Sequence, residues 1–151
     1  MKVCVIGSGS RGTALSQVLA DAGSEVSLVV RRESVAEGIN REHRNPDYLK
    51  DAVLSSQVVA TTSVAEALEG AEACVVVTPS AYLRSTAVSL QGLLPAELPV
   101  VICSKGVEAE TGALPAEVFA EEVGDLNRIG VLSGPTHAEE VIHRVPSGAV
   151  S

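Results

Sequence analysis

GSGSRG at 7–12 sets three glycines in a GxGxxG spacing directly after the apolar run KVCVI. Between a strand and a helix, that spacing makes a phosphate cradle. Gly7 permits a tight turn, Gly9 lets the backbone approach a pyrophosphate, and Gly12 lets helix and strand pack closely. The helix N-terminus then offers unpaired N–H groups and a partial positive charge. Ser10 and Arg11 are the side chains nearest to such phosphates. Alone the glycine spacing is a weak signal; opening the first strand–loop–helix unit, it points to a dinucleotide.

A second clue lies where the next strand ends. In a dinucleotide fold that strand usually finishes on Asp or Glu, which hydrogen-bonds the ribose 2′-hydroxyl of NAD. Here SEVSLVV finishes on Val30, and Arg31 and Arg32 follow. No acid stands there to repel a 2′-phosphate, so NADP is the expected preference and NAD the alternative cofactor. A charge-assisted hydrogen bond contributes roughly 1.5–3 kcal/mol, which corresponds to about 10-fold or more in favour of NADPH. Two other readings stay open: a solvated pair, or guanidinium stacking on adenine, which would serve both cofactors equally.

Further along, three stretches end apolar runs: VTPSAYLR, ICSKGVEAETG and VLSGPTHAEEV. In an open α/β sheet, ligands bind at the edge where the strands finish. Pro79 and Ser80 sit at the first exit, as cofactor lining or as helix caps. At the second, Lys105 either snorkels to solvent or brings a compact ammonium to a ligand. At the third, Gly134 allows close approach to a ligand, and Thr136 offers a hydroxyl that also suits a helix N-cap. Tyr48, in NPDYL, covers the adenosine side of such a site or anchors its own loop.

The elements that must position these residues alternate along the chain. Apolar runs at 2–7, 24–30, 71–79 and 98–106 read as strands, and a shorter one lies in SQVVATTS. Amphipathic stretches between them read as helices, among them 80–94 and one near LPAEVFAEEV, with Ser63 capping VAEALEG. ESVAEGI is a short helix, 39–51 a long loop, RIGVLSGP a strand, THAEEVIH a short helix and PSGAVS the start of one more strand. This order predicts an α/β, doubly wound, mostly parallel Rossmann-type sheet occupying residues 1–151.

Composition agrees. Of the 151 residues, 46% are hydrophobic, with no Trp, two Tyr and one Phe, which suits aliphatic strands buried on both faces. Net charge is −8, which argues against a nucleic-acid partner. No stretch reads as a signal peptide or membrane span. Cys4, Cys74 and Cys103 lie in apolar runs without CxxC spacing, so they are expected to be reduced, buried thiols of a cytoplasmic protein, with no metal site.

Together with GSGSRGTALS and NPDYL, the SKG–E–TG and SGP–AEEV stretches resemble the NAD(P)-dependent glycerol-3-phosphate dehydrogenase family, over residues 3–146. The resemblance implies reversible reduction of dihydroxyacetone phosphate to sn-glycerol 3-phosphate, feeding phospholipid synthesis. It implies that Lys105 approaches nicotinamide and substrate, that Gly134 and Thr136 bind substrate, and that Ala138 contacts the cofactor. It also implies a second, all-helical domain downstream, which carries the main acid/base lysine; by this reading the chain is the cofactor half, and a homodimer is expected only of the longer protein. Arg11 departs from the pattern, since relatives commonly have an aromatic there. His137 also replaces an aromatic and reads as a substituted packing position, while His43 and His143 read as surface residues. The competing functions are a hydroxyacid or ketopantoate-type reductase and a non-catalytic NAD(P)-binding sensor.

Overall fold

The computed structural model describes residues 1–151, apart from the side chain of Leu126. Strands β1 (Lys2–Ile6), β2 (Glu25–Val29), β3 (Val58–Thr61), β4 (Ala73–Val76), β5 (Val100–Ile102) and β6 (Ile129–Val131) form one parallel sheet in the order β3-β2-β1-β4-β5-β6. The expected doubly wound sheet is thus observed, with every ladder parallel.

Alternation along each strand sends side chains to two half-cores. Val3 and Val5 join Val26, Leu28 and residues of α1 (Ser10–Asp21) and α2 (Glu33–Glu42), with Ile142 of α6 (Ala138–Ile142). Cys4 and Ile6 face the other way, onto α3 (Val64–Leu68), α4 (Leu83–Ser89) and α5 (Pro115–Val123). The one Phe, Phe119, is fully buried there. Burial on both faces explains why the strands read as continuous aliphatic runs. All three cysteines are free and buried, as expected, and Cys4 stands opposite Cys74 across the β1–β4 ladder.

Several boundaries differ from expectation. The 39–51 loop begins late, because α2 continues to Glu42 and stops where His43 turns left-handed (φ 53°) and returns its N–H to the Ile39 carbonyl at 3.1 Å. The 80–94 helix is a 3₁₀ turn at Ser80–Tyr82 followed by the shorter α4. Within PSGAVS, Val150 makes an antiparallel bridge to Ser133. Ser63 does cap α3, its hydroxyl accepting from the Glu66 N–H at 3.2 Å.

Strand β1 leads directly into α1 through the glycine loop. Gly7 has φ 111°, and a side chain there would press to 2.5 Å from the Val77 carbonyl oxygen. A Cβ at Gly12 would run into the carbonyl of Gly7 itself. The loop following β5 is held differently. Arg84 of α4 grips Glu108 in bidentate fashion (2.6 and 2.7 Å) and also reaches Glu122 (2.6 Å) and Glu121 (2.8 Å) of α5. Hydrogen bonds from Arg84, then from Thr111, pull the Glu108 carboxyl from its ordinary 4.5 down to about 2.

Two outcomes follow from these contacts. Gly12→Ala should destabilise the chain, although alanine gains about 1 kcal/mol of helix propensity over glycine. The collision is with backbone, and overpacking of that kind costs about 1–3 kcal/mol net, readable as a lower urea midpoint with unchanged slope. Glu108 carries a depressed folded-state value, so its contribution is complete above pH 4.5 and fades as pH falls toward about 2. In Glu108→Gln the loss of stability across that window should be shallower. Asp21, lowered by its hydrogen bonds from Arg144, leaves a slope of the same sign.

Candidate functional site

A groove of about 950 Å³ runs along the C-terminal ends of the strands, beside the glycine loop and the ends of β2, β4 and β5. It lies where strand order reverses between β1 and β4, the topological switch point of a doubly wound sheet. At its centre the Thr13 N–H is the first to close an α1 bond, onto the Gly9 carbonyl at 2.9 Å. The N–H groups of Ser10, Arg11 and Gly12 therefore have no partner within the helix. Gly9 is the N-cap and supplies no capping side chain; a Cβ placed on it would meet nothing within 4 Å. The space beside it is open, and a helix N-terminus with three donors free of helical partners suits an anion.

The loop is fixed from behind by Asn45, which is 1% exposed. Its Nδ2 donates to the Ser8 carbonyl (3.0 Å) and to Thr13 Oγ1 (2.9 Å), while its Oδ1 accepts from the Asp47 and Tyr48 N–H groups (3.0 and 3.2 Å). Every polar atom of this buried amide is used, as burial requires. Sequence reasoning did not single out Asn45. The Asn-Pro pair of NPDYL was the available signal, but it marks a turn and not what the turn holds.

At the β2 end of the groove, Val30 directly follows the strand, 3% exposed, with both arginines lining the groove. Arg31 lies over the ring of Tyr82, 5.5 Å from its centroid. Arg32 forms an ion pair with Asp47, and exposed Tyr48 lines the same wall. Asp47 is a second residue that sequence reasoning missed, since fifteen positions separate it from Arg32.

At the other end, Lys105 does not run free to solvent. Its Nζ donates to the Gly134 carbonyl at 2.9 Å, joining the exits of β5 and β6. Arg11 lines the groove and is held by two hydrogen bonds: Nη1 donates to the Cys103 carbonyl (3.1 Å) and Nη2 to Thr136 Oγ1 (2.9 Å). The Thr136 hydroxyl is thereby engaged and is not the N-cap of α6; that position belongs to His137, which makes no side-chain cap. His137 is exposed and does not pack, and His43 is half-buried, whereas His143 is exposed as expected. Burial pushes the Cys103 thiol above its ordinary value, which leaves a neutral, poorly nucleophilic group beneath the site.

The groove thus carries Lys105 and Arg11 at one end and Arg31, Arg32 and Tyr48 at the other, with Gly7, Gly9, Ser10 and Gly12 between; Gly134 and Thr136 are joined to it only through hydrogen bonds from Lys105 and Arg11, and Thr136 lines the adjoining cavity. Pro79 and Ser80 line the groove at the exit of β4. Ala138 does not: it opens α6 and lines an adjoining, largely apolar cavity of about 500 Å³ between α1 and α6. Among the described residues no group of three or more His, Cys, Asp or Glu is placed to hold a metal ion. Nor, among the described residues, is any helix long and apolar enough to cross a membrane.

Comparison with known proteins agrees with this geometry. The family model described as the N-terminus of NAD-dependent glycerol-3-phosphate dehydrogenase matches residues 2–151. A protein named glycerol-3-phosphate dehydrogenase (NAD(P)+) from Exiguobacterium sp. is 45% identical over 147 residues, covering 96% of this chain and 43% of that protein. One of the same name from Corynebacterium aurimucosum is 45% identical over 149 residues, covering 98% and 45%. The crystal structure of glycerol-3-phosphate dehydrogenase from Coxiella burnetii superposes with a TM-score of 0.87 at 29% identity, over 97% of this chain and 45% of that one. The chain therefore spans a little under half the length of the relatives it matches. With a family model matched from residue 2 to residue 151, this chain belongs to the NAD-dependent glycerol-3-phosphate dehydrogenase family, in its N-terminal part.

Proposed function

We propose that this chain is the cofactor-binding half of an enzyme that interconverts sn-glycerol 3-phosphate and dihydroxyacetone phosphate with NAD(H) or NADP(H), for glycerophospholipid synthesis. The observation that carries the reading is the open space at Gly9 above the free N–H groups of α1, with Lys105 tethered at one end of the same groove. The substrate is a small phosphorylated molecule. A second domain, outside these 151 residues, would complete its site and supply the main acid/base group. A homodimer of the longer protein and a cytoplasmic location are part of the same proposal.

The dinucleotide, when bound, supplies or accepts the hydride at its nicotinamide. What this chain contributes is placement and charge. Ser10, Arg11 and Gly12 give backbone donors to the pyrophosphate, and Gly7 and Gly12 keep the loop low enough to admit it. Pro79 and Tyr48 wall the cofactor path. Lys105 sets an ammonium where charge grows on the substrate oxygen as the carbonyl is reduced, and the Gly134 carbonyl keeps it aimed there. Arg11 orients the Thr136 hydroxyl, which is then one polar contact for substrate at the β6 exit.

Two measurements test this reading. Gly9→Val should leave the melting temperature nearly unchanged, because its side chain would enter open space, yet weaken NADPH and NADH at least about 100-fold by filling the pyrophosphate's approach. Unchanged affinity by fluorescence titration would make the loop a simple turn. In a longer protein with a complete substrate site, Lys105→Ala should lower kcat by about 100-fold or more and raise the cofactor Kd only slightly. A variant with normal kcat and weakened cofactor binding would show that Lys105 clamps the dinucleotide instead.

A further inference from the structure

The adenosine end of the groove holds a charge arrangement that cofactor binding alone does not call for. Four cationic residues line the groove, Arg11, Arg31, Arg32 and Lys105, and among the described residues Asp47 is its single carboxylate. Asp47 pairs with Nη2 of Arg32. Its place is set by backbone: the Asp47 N–H donates to Asn45 Oδ1 at 3.0 Å, and Asn45 Nδ2 donates to the Ser8 carbonyl at 3.0 Å. The carboxylate is therefore held in register with the glycine loop, which also fixes where an adenosine ribose must lie. Glu33, the acid that follows the two arginines, is turned away, its carboxylate accepting from Thr62 Oγ1 at 2.6 Å.

We propose that Asp47 sets the selectivity between the two nicotinamide dinucleotides by competing with a 2′-phosphate for the guanidinium of Arg32. The proposal rests on the cofactor reading given above. A phosphate monoester carries nearly two negative charges at neutral pH. Beside a free guanidinium it is attracted; beside the Arg32–Asp47 pair it meets a compensated cation and a repelling carboxylate. A 2′-hydroxyl carries no charge and is nearly indifferent to the difference. The Arg31 guanidinium has a different neighbour, lying over the Tyr82 ring at 5.5 Å from its centroid. Both members of the Arg32–Asp47 pair are partly exposed, so the pair contributes little to folding and can be opened without unfolding the chain. Its consequence falls on discrimination.

The test is calorimetric titration of the chain with NADPH and NADH at low salt, repeated with 2′,5′-ADP and 5′-AMP as the adenosine ends alone. Asp47→Asn keeps the N–H that anchors Asn45, and a circular dichroism melt checks that the variant folds. NADPH and 2′,5′-ADP should bind about 10-fold more tightly to the variant, an effect that shrinks at high salt, while NADH and 5′-AMP stay within about two-fold. Asp47→Asn combined with Arg32→Ala should lose the gain. Parallel shifts for both dinucleotides, no shift for either, or a gain that survives removal of Arg32 would each overturn the proposal. A parent chain that binds neither dinucleotide would overturn the cofactor reading and this inference with it; binding without the selective shift would overturn the inference alone.

Discussion

The first turn of α1 sits so close to the carbonyl of Gly7 that only a hydrogen atom fits on the near side of Gly12. That contact fixes the direction in which the helix leaves β1, and the rest of the groove follows from it. The N–H groups of the first turn point at the strand edge, and Thr13 and Ser8 become fixed points on which Asn45 closes. Through Asn45 the turn before Tyr48 is drawn against the same loop. A backbone contact of this kind is stiffer than any side-chain pair, which suits a loop proposed to take a pyrophosphate at close range.

Electrostatics divides the molecule. The chain carries a net charge of −8, yet its groove is lined by four cations and one carboxylate. The acids lie elsewhere, and one concentration of them is put to structural use. Glu108, Glu121 and Glu122 converge on Arg84, so the loop that carries Lys105 is tied to α4 and α5 by charge-assisted hydrogen bonds. Lys105 is thus fixed twice, through its loop by Arg84 and through its ammonium by the Gly134 carbonyl. Such double fixing lowers the freedom that a flexible lysine would otherwise lose on binding a ligand.

Much of this was legible in the sequence, for a physical reason. Parallel strands buried on both faces must be aliphatic throughout, so each strand announces itself as an apolar run. The glycines at 7, 9 and 12 are readable because each answers a steric demand that few other residues meet. What escaped notice is what depends on distant partners. Thr136 reads as a helix cap until Arg11, 125 positions away, takes its hydroxyl. Arg32 reads as a free cation until the turn at 45–48 brings Asp47 to it. The final PSGAVS makes one bridge, Val150 to Ser133, and packs its backbone against Gly134, a contact that the residues of either stretch do not announce.

Arg11 ties the start of α1 to the far end of the sheet edge. An aromatic side chain at that place would act through its faces and could not donate to two acceptors. The guanidinium donates to both the Cys103 carbonyl and Thr136 Oγ1, joining the exits of β5 and β6 from the helix that starts at the glycine loop. Lys105 joins the same two exits through Gly134. Two cations thereby cross-link the one region of the sheet edge whose strands are only three residues long, Val100–Ile102 and Ile129–Val131. Short strands give few ladder bonds to hold their ends in place. The side chains that hold the edge together are therefore also those that bring positive charge to it.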